Sequence, residues 1–179
     1  MAIRHFLLTV FLSAMAVATA HAWPPEIGEQ PKPLNKLEYL DGSQIDLNDL
    51  KGHPVVLYFG ADWCQPCVQR GRPTTEAVSK KYGPSGLKTI FVSMDDNKFR
   101  PQKKIEAQSL GMPIAMAKLD ICPPGECPDG LRNLGEFGRI YRYPTAIVLD
   151  ANGIIRHKMD SGQGVLHNLE NSVRQVMGQ

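Results

Sequence analysis

The sequence is short of the features that mark several common functions. No block of like charge occurs: 20 lysines and arginines face 18 aspartates and glutamates, for a net charge of +2. A chain this balanced offers no basic stripe for nucleic acid. There is no glycine-rich phosphate loop, no carboxylate dyad and no internal repeat. The five histidines are scattered, and nothing implies a metal or other cofactor. Cysteine is scarce, with only Cys64, Cys67, Cys122 and Cys127. The remainder, 42% hydrophobic and 21% charged, is the composition of one soluble globular domain with enough chain to bury a core.

A long apolar run is missing too. Phe6–Leu12 and Ala14–Ala18 fall short of the roughly 20 residues that span a bilayer. With Arg4 ahead of them and Ala20-His21-Ala22 behind, they read as a signal peptide over residues 1–22, cleaved after Ala22. The alternative is an uncleaved anchor. No cysteine sits at the end of the run, which argues against a lipoprotein. The expectation is an exported, periplasmic domain over residues 23–179, without stable membrane insertion after cleavage. Disulfides persist in such a compartment.

After a proline-rich lead-in, KLEYL and QIDL flank Asp41-Gly42 as a hairpin, and LNDLKG makes one helical turn closed by Gly52. PVVLYFG is a continuous apolar run, as in a strand buried on both faces. A helix follows from Cys64 to Tyr82, kinked at Pro73. LKTIFVSMDD is a second buried strand, Pro101–Leu110 a short helix, and Ile114–Leu119 a short strand. DICPPGECPDG is a loop, and Leu131–Phe137 a brief helix. TAIVLD and GIIRHKMD pair around Ala151-Asn152-Gly153, and Val165–Met177 closes the chain as a helix. This order implies an α/β fold with a mixed sheet flanked by helices.

The stretch ADWCQPC admits three readings: a redox pair, half of a zinc site or a structural disulfide. Placement favours the first. Cys64 ends a strand and opens a helix, where unpaired amides and the helix dipole stabilise a thiolate. Cys67, one turn on, can attack a mixed disulfide formed at Cys64. Pro66 suits the first turn, where its missing N–H costs little. Structural zinc pairs recur about 15–20 residues apart; here the second pair is far downstream with a different spacing.

WCQPC after VVLYFGAD, with Tyr143-Pro144-Thr145 before a strand, resembles the thioredoxin superfamily. The longer pattern LDGSQIDLNDLKGHPVVLYFGADWCQPC is similar to its periplasmic TlpA-type and cytochrome c-biogenesis group. The resemblance implies a thioredoxin fold with an N-terminal hairpin extension, Cys64 as exposed nucleophile and Cys67 as resolving thiol. It implies a cis peptide at Pro144, with Tyr143 offering its backbone to a substrate chain and Trp63 shielding the thiolate and touching partners.

Two positions depart from the pattern. Thioredoxins carry a buried acid six residues before the first cysteine, where this chain has Tyr58. Some periplasmic relatives have glutamate three residues after the second, where this chain has Arg70. The proton acceptor for Cys67 is therefore not identified. Asp62 reads as an exposed surface carboxylate, and Asp95 and Asp96 as acceptors or loop caps.

Cys122 and Cys127 bracket Pro-Pro-Gly-Glu and imply a second, local disulfide. It serves either as a staple or as a relay to the first pair from the same sheet edge. Met112, Met116, His53, His157 and His167 would have to converge to hold copper.

The reading is an exported thiol–disulfide oxidoreductase acting on protein thiols and disulfides, with no cofactor and no nucleic-acid partner. Gln65-Pro66 resembles the Gly-Pro of reducing thioredoxins, which favours a reductant fed by a membrane thiol relay over a disulfide-forming oxidant or isomerase. A copper-binding module is the alternative from another class. A peroxidase fits Trp-Cys-x-x-Cys poorly.

Overall fold

The computed structural model of the chain describes residues 26–31, 34–118, 140, 142–160 and 168–179. The leader at 1–22, the Cys122–Cys127 loop and the helix expected at 131–137 lie outside them.

β2, Val55–Gly60, is buried at every position, which explains why VVLYFG shows no polar alternation. It pairs in parallel with β3, Lys88–Ser93, and antiparallel with β5, Thr145–Leu149. Outside β3 lies β4, Ile114–Ala117, in parallel, and then β1, Leu37–Tyr39, antiparallel. β6, Ile155–Asp160, pairs with β5 at the other edge. The order β1-β4-β3-β2-β5-β6 is the mixed sheet expected from sequence. α1, Arg72–Tyr82, connects β2 to β3; α2, Arg100–Glu106, connects β3 to β4; α3, Leu169–Val176, follows β6.

Alternation along β2 divides the core. Val56 faces Val78 and Tyr82 of α1 and Leu169 and Val173 of α3. Tyr58, on the same side, packs with Phe91, Met112, Ile114 and Met116. Val55, Leu57 and Phe59 face the other way, into a cluster holding Leu34, Leu37, Ile140 and both Cys64 and Cys67. The disulfide segment is therefore seated on the sheet's own core.

Local chemistry modifies several expected elements. The hairpin closes through Tyr39 N–H to Ser43 O at 2.9 Å, with Gly42 at φ 91°. Its second arm contributes a single bridge, Glu38 to Gln44. Beyond it the Asp46 carboxylate accepts from Asn48 N and Nδ2 at 2.7 and 2.9 Å, which turns the backbone out of an extended path. α2 ends at Glu106 rather than Leu110; Ser109 Oγ donates to the Glu106 carbonyl at 3.1 Å, and Glu76 takes the Gly111 N–H at 3.1 Å. β4 stops at Ala117. No helix among the described residues is long and apolar enough to cross a membrane.

Candidate active site

The chain leaves β2 at Gly60 and turns through Ala61–Trp63, with Cys64 N–H donating to Ala61 O at 3.2 Å. Helix begins at Gln65 and Pro66, where proline loses nothing because first-turn N–H groups have no intrahelical partner. It then widens into a π turn, Cys67–Gly71, closed by Arg72 N–H to Cys67 O. The irregularity expected at Pro73 thus lies one turn ahead of it. Pro73 has no N–H to continue α-helical bonding back to residue 69, so the wide turn finishes before α1 resumes.

Cys64 and Cys67 form a disulfide, with Cα atoms 5.2 Å apart. Cys64 retains 6% exposure and Cys67 none. Both cysteines lie within the core cluster. Cys67 N–H points at Cys64 Sγ, 3.3 Å away. A thiolate at Cys64 would accept this same bond, which favours the charged form.

Trp63 is 62% exposed, and its ring meets Tyr143 edge-on at 5.7 Å. The Tyr143–Pro144 peptide is cis, and Pro144 is buried. The close approach of Pro144 to the π turn needs a glycine at 71, since a Cβ there would stand 3.0 Å from Pro144 Cβ. Trp63, Cys64, Cys67, Tyr143 and Pro144 thus gather at one end of β2 from two distant stretches of chain. Cys122 and Cys127 lie outside the described residues.

Beside this end sits an ionic cluster that the sequence shows only in fragments. Lys103 Nζ, fully buried, meets Asp62 Oδ1 at 2.8 Å, Asp95 Oδ2 at 3.0 Å and Glu106 Oε2 at 2.8 Å. Arg72 bonds Asp62 at 2.7 Å and also pairs with Glu106; both cations lie over the Phe91 ring. Asp95 additionally accepts from Asp62 N and Ser93 Oγ, at 3.0 and 2.8 Å. Asp62 is therefore a hub of ion pairs, although its side chain keeps 54% exposure. Burial alone would raise its carboxyl, but bonds from Lys103 and Arg72 hold it below the usual aspartate range. Burial likewise opposes the charge on Lys103, yet its carboxylate partners hold the ammonium above its ordinary value. Asp96 caps the turn at Asn97–Phe99, accepting from Lys98 N. Among the candidate proton acceptors, Asp62 and Asp95 are engaged by cations, and Asp96 by the Lys98 backbone N–H and, at 3.8 Å, by Lys98 Nζ. Arg72, Lys103 and Glu106 carried no sequence signal of their own; only the pairing of β3 with β2 brings α2 against this loop.

Tyr58 Oη donates to the Cys67 carbonyl at 3.1 Å. Among the described residues, those considered for copper do not gather: Met112 and Met116 are core, His53 Nδ1 lies 2.9 Å from Gly86 O, and His157 is on β6. His167 lies outside the described residues.

The AhpC/TSA family model matches residues 29–158. The thiol-disulfide oxidoreductase ResA of a Bacillus cereus strain is 26% identical over 137 residues, covering 76% of this chain and 71% of its own. A thiol:disulfide interchange protein from Bacteroides sp. superposes with TM-score 0.64 at 20% identity, over 87% of this chain and 92% of that one. The thioredoxin domain of a thiol-disulfide oxidoreductase from Bacteroides vulgatus gives TM-score 0.63 at 21% identity, over 85% and 98%. The two structures establish a shared thioredoxin fold.

Proposed function

The chain belongs to the AhpC/TSA family and is a thiol–disulfide oxidoreductase of thioredoxin fold; from that premise we propose that it works as an exported reductant of protein disulfides. The observation that carries the chemistry is a Cys64–Cys67 disulfide at the junction of a buried strand and a helix, beside the cis Pro144.

The reduced pair reacts in two steps. The Cys64 thiolate attacks one sulfur of a partner disulfide, forming a mixed disulfide and releasing the partner's first thiolate, which takes up a proton. Cys67 then loses its proton and attacks Cys64 Sγ, re-forming the internal disulfide and releasing the partner's second thiol. Two electrons pass to the partner. A donor dithiol, which we assign to a membrane thiol relay, must return them before another cycle. Trp63 and Tyr143 frame the entry, and the backbone beside Pro144 receives the substrate chain.

The direction rests on Gln65-Pro66, whose likeness is to reducing thioredoxins. Export rests on the leader at 1–22, with Cys122–Cys127 as a second disulfide in the exported chain.

Substitution tests the site. Cys64→Ser is expected to abolish exchange, and Cys67→Ser to accumulate mixed disulfides with partners; a Cys64→Ser protein with native activity would overturn the assignment. The reduction potential tests the direction. A value near about −270 mV fits a reductant, whereas one toward about −120 mV would make the protein an oxidant.

A further inference from the structure

Tyr58 occupies the position where thioredoxins bury an acid, and its surroundings are built around a hydroxyl. The side chain is fully buried at the centre of β2, with its ring 5.5 Å from that of Phe91. Two glycines line the hydroxyl. A Cβ at Gly60 would come within 2.8 Å of Tyr58 Oη, and a Cβ at Gly71 would overlap it. The backbone therefore closes on the phenol from the end of β2 and from the end of the π turn. Within that notch Oη donates to the Cys67 carbonyl at 3.1 Å, the same carbonyl that closes the π turn by accepting Arg72 N–H.

From this geometry we infer that Tyr58 is a positioning residue for the resolving cysteine: its hydroxyl holds the Cys67 carbonyl and thereby sets the backbone that aims Cys67 Sγ at Cys64 Sγ. A phenol here supplies a donor to the main chain where a carboxylate would supply a base to the sulfur. Burial drives the Tyr58 hydroxyl further from ionisation, so it stays protonated and keeps donating throughout the neutral range. The Cys67 proton then leaves to the departing thiolate or to solvent, not to residue 58. The second step depends on Tyr58; the first, at Cys64, does not.

The inference rests on Cys64 as attacking and Cys67 as resolving sulfur, and its test separates the two ideas. The full chain, with Cys122 and Cys127 replaced by serine, is reduced and mixed with a bis(nitrobenzoate) disulfide. One coloured thiolate is released as Cys64 attacks, and the second as Cys67 resolves the mixed disulfide. Tyr58→Phe keeps the ring, and the Cys67 carbonyl keeps its Arg72 donor, so the fold survives. The expected result is an unchanged first phase and a second phase slowed about fivefold, the scale of one neutral hydrogen bond. A Y58F protein with both phases at native rates overturns the inference while leaving the cysteine roles intact. A first phase that survives Cys64→Ser overturns the cysteine roles themselves. Gly71→Ala gives an independent check, since its added methyl displaces the phenol. It is expected to lower the unfolding midpoint less in the Y58F background than in the native one, and equal losses would overturn the notch.

Discussion

Lys103 carries an ammonium group wholly out of solvent, held by Asp62, Asp95 and Glu106. Removing a cation from such a site leaves Asp95 buried beside no Lys103 charge, which costs far more than losing a surface pair. Lys103→Met is therefore expected to destabilise the oxidised protein by about 3 kcal/mol in urea unfolding. The cost also depends on pH. The Asp62 carboxyl is held low, so its contribution is complete above the ordinary aspartate value of 3.8 and is lost as pH falls through its lower folded value. The Lys103 ammonium is held high, so its contribution is complete below 10.5 and fades as pH rises through its folded value. The difference between native and K103M midpoints should be flat at neutral pH and shrink at both extremes. A difference of the same size in strong acid would show that Lys103 acts by packing alone.

Among the elements, the strands were the most legible. Runs such as VVLYFG and TAIVL are buried throughout because neighbours cover both faces, and an uninterrupted apolar run records that directly. Helix limits were less legible, because side chains competing for the backbone decide them; Ser109 and Glu76 at the end of α2 are examples. The π turn at Cys67–Gly71 left only the mark of Pro73. The β5–β6 turn shows how far local sequence can reach. Asp150 Oδ1 accepts from Asn152 N and Ile154 N at 2.9 and 3.0 Å, and Gly153 sits at φ 75°. That left-handed conformation penalises any Cβ, although the space around Gly153 is open. Gly153→Ala should lower stability by about 1 kcal/mol while leaving disulfide exchange untouched. Thermal unfolding together with an exchange assay on the same sample would check both halves.

At the scale of the whole molecule, the cysteines belong to a core that also holds Leu34, Leu37 and Ile155. The N-terminal segment is therefore part of the domain's stability and not an appendage. Gly28 N–H bonds Ile155 O at 2.8 Å, and Ile155 N–H bonds Glu29 O at 2.9 Å, which ties the start of the described chain to the far edge strand. Leu37, with no exposure, lies on β1 at the opposite edge. Leu37→Ala should cost about 3 kcal/mol. In a W23F background, Trp63 fluorescence and far-UV dichroism should shift together in one transition. Separate transitions would mean that the active-site end and the N-terminal edge unfold independently.

The sequence by itself determined the chemistry and the fold class. A C-x-x-C pair between an apolar strand and a helix favours thiol exchange by its placement, because strand, helix start and spacing are all local. The Tyr143-Pro144-Thr145 match pointed to the second half of the site through likeness to a family. Only the tertiary structure decided what surrounds the sulfurs. Asp62 and Lys103 are far apart in sequence, and the notch for Tyr58 needs Gly60 and Gly71 from two different elements. Pairing of β2 with β3 brings α2 and Lys103 against Asp62, and packing of the π turn on β2 brings Gly71 to the Tyr58 hydroxyl. Because the Lys103 and Gly71 contacts are made between elements, no periodicity or spacing within one element records them.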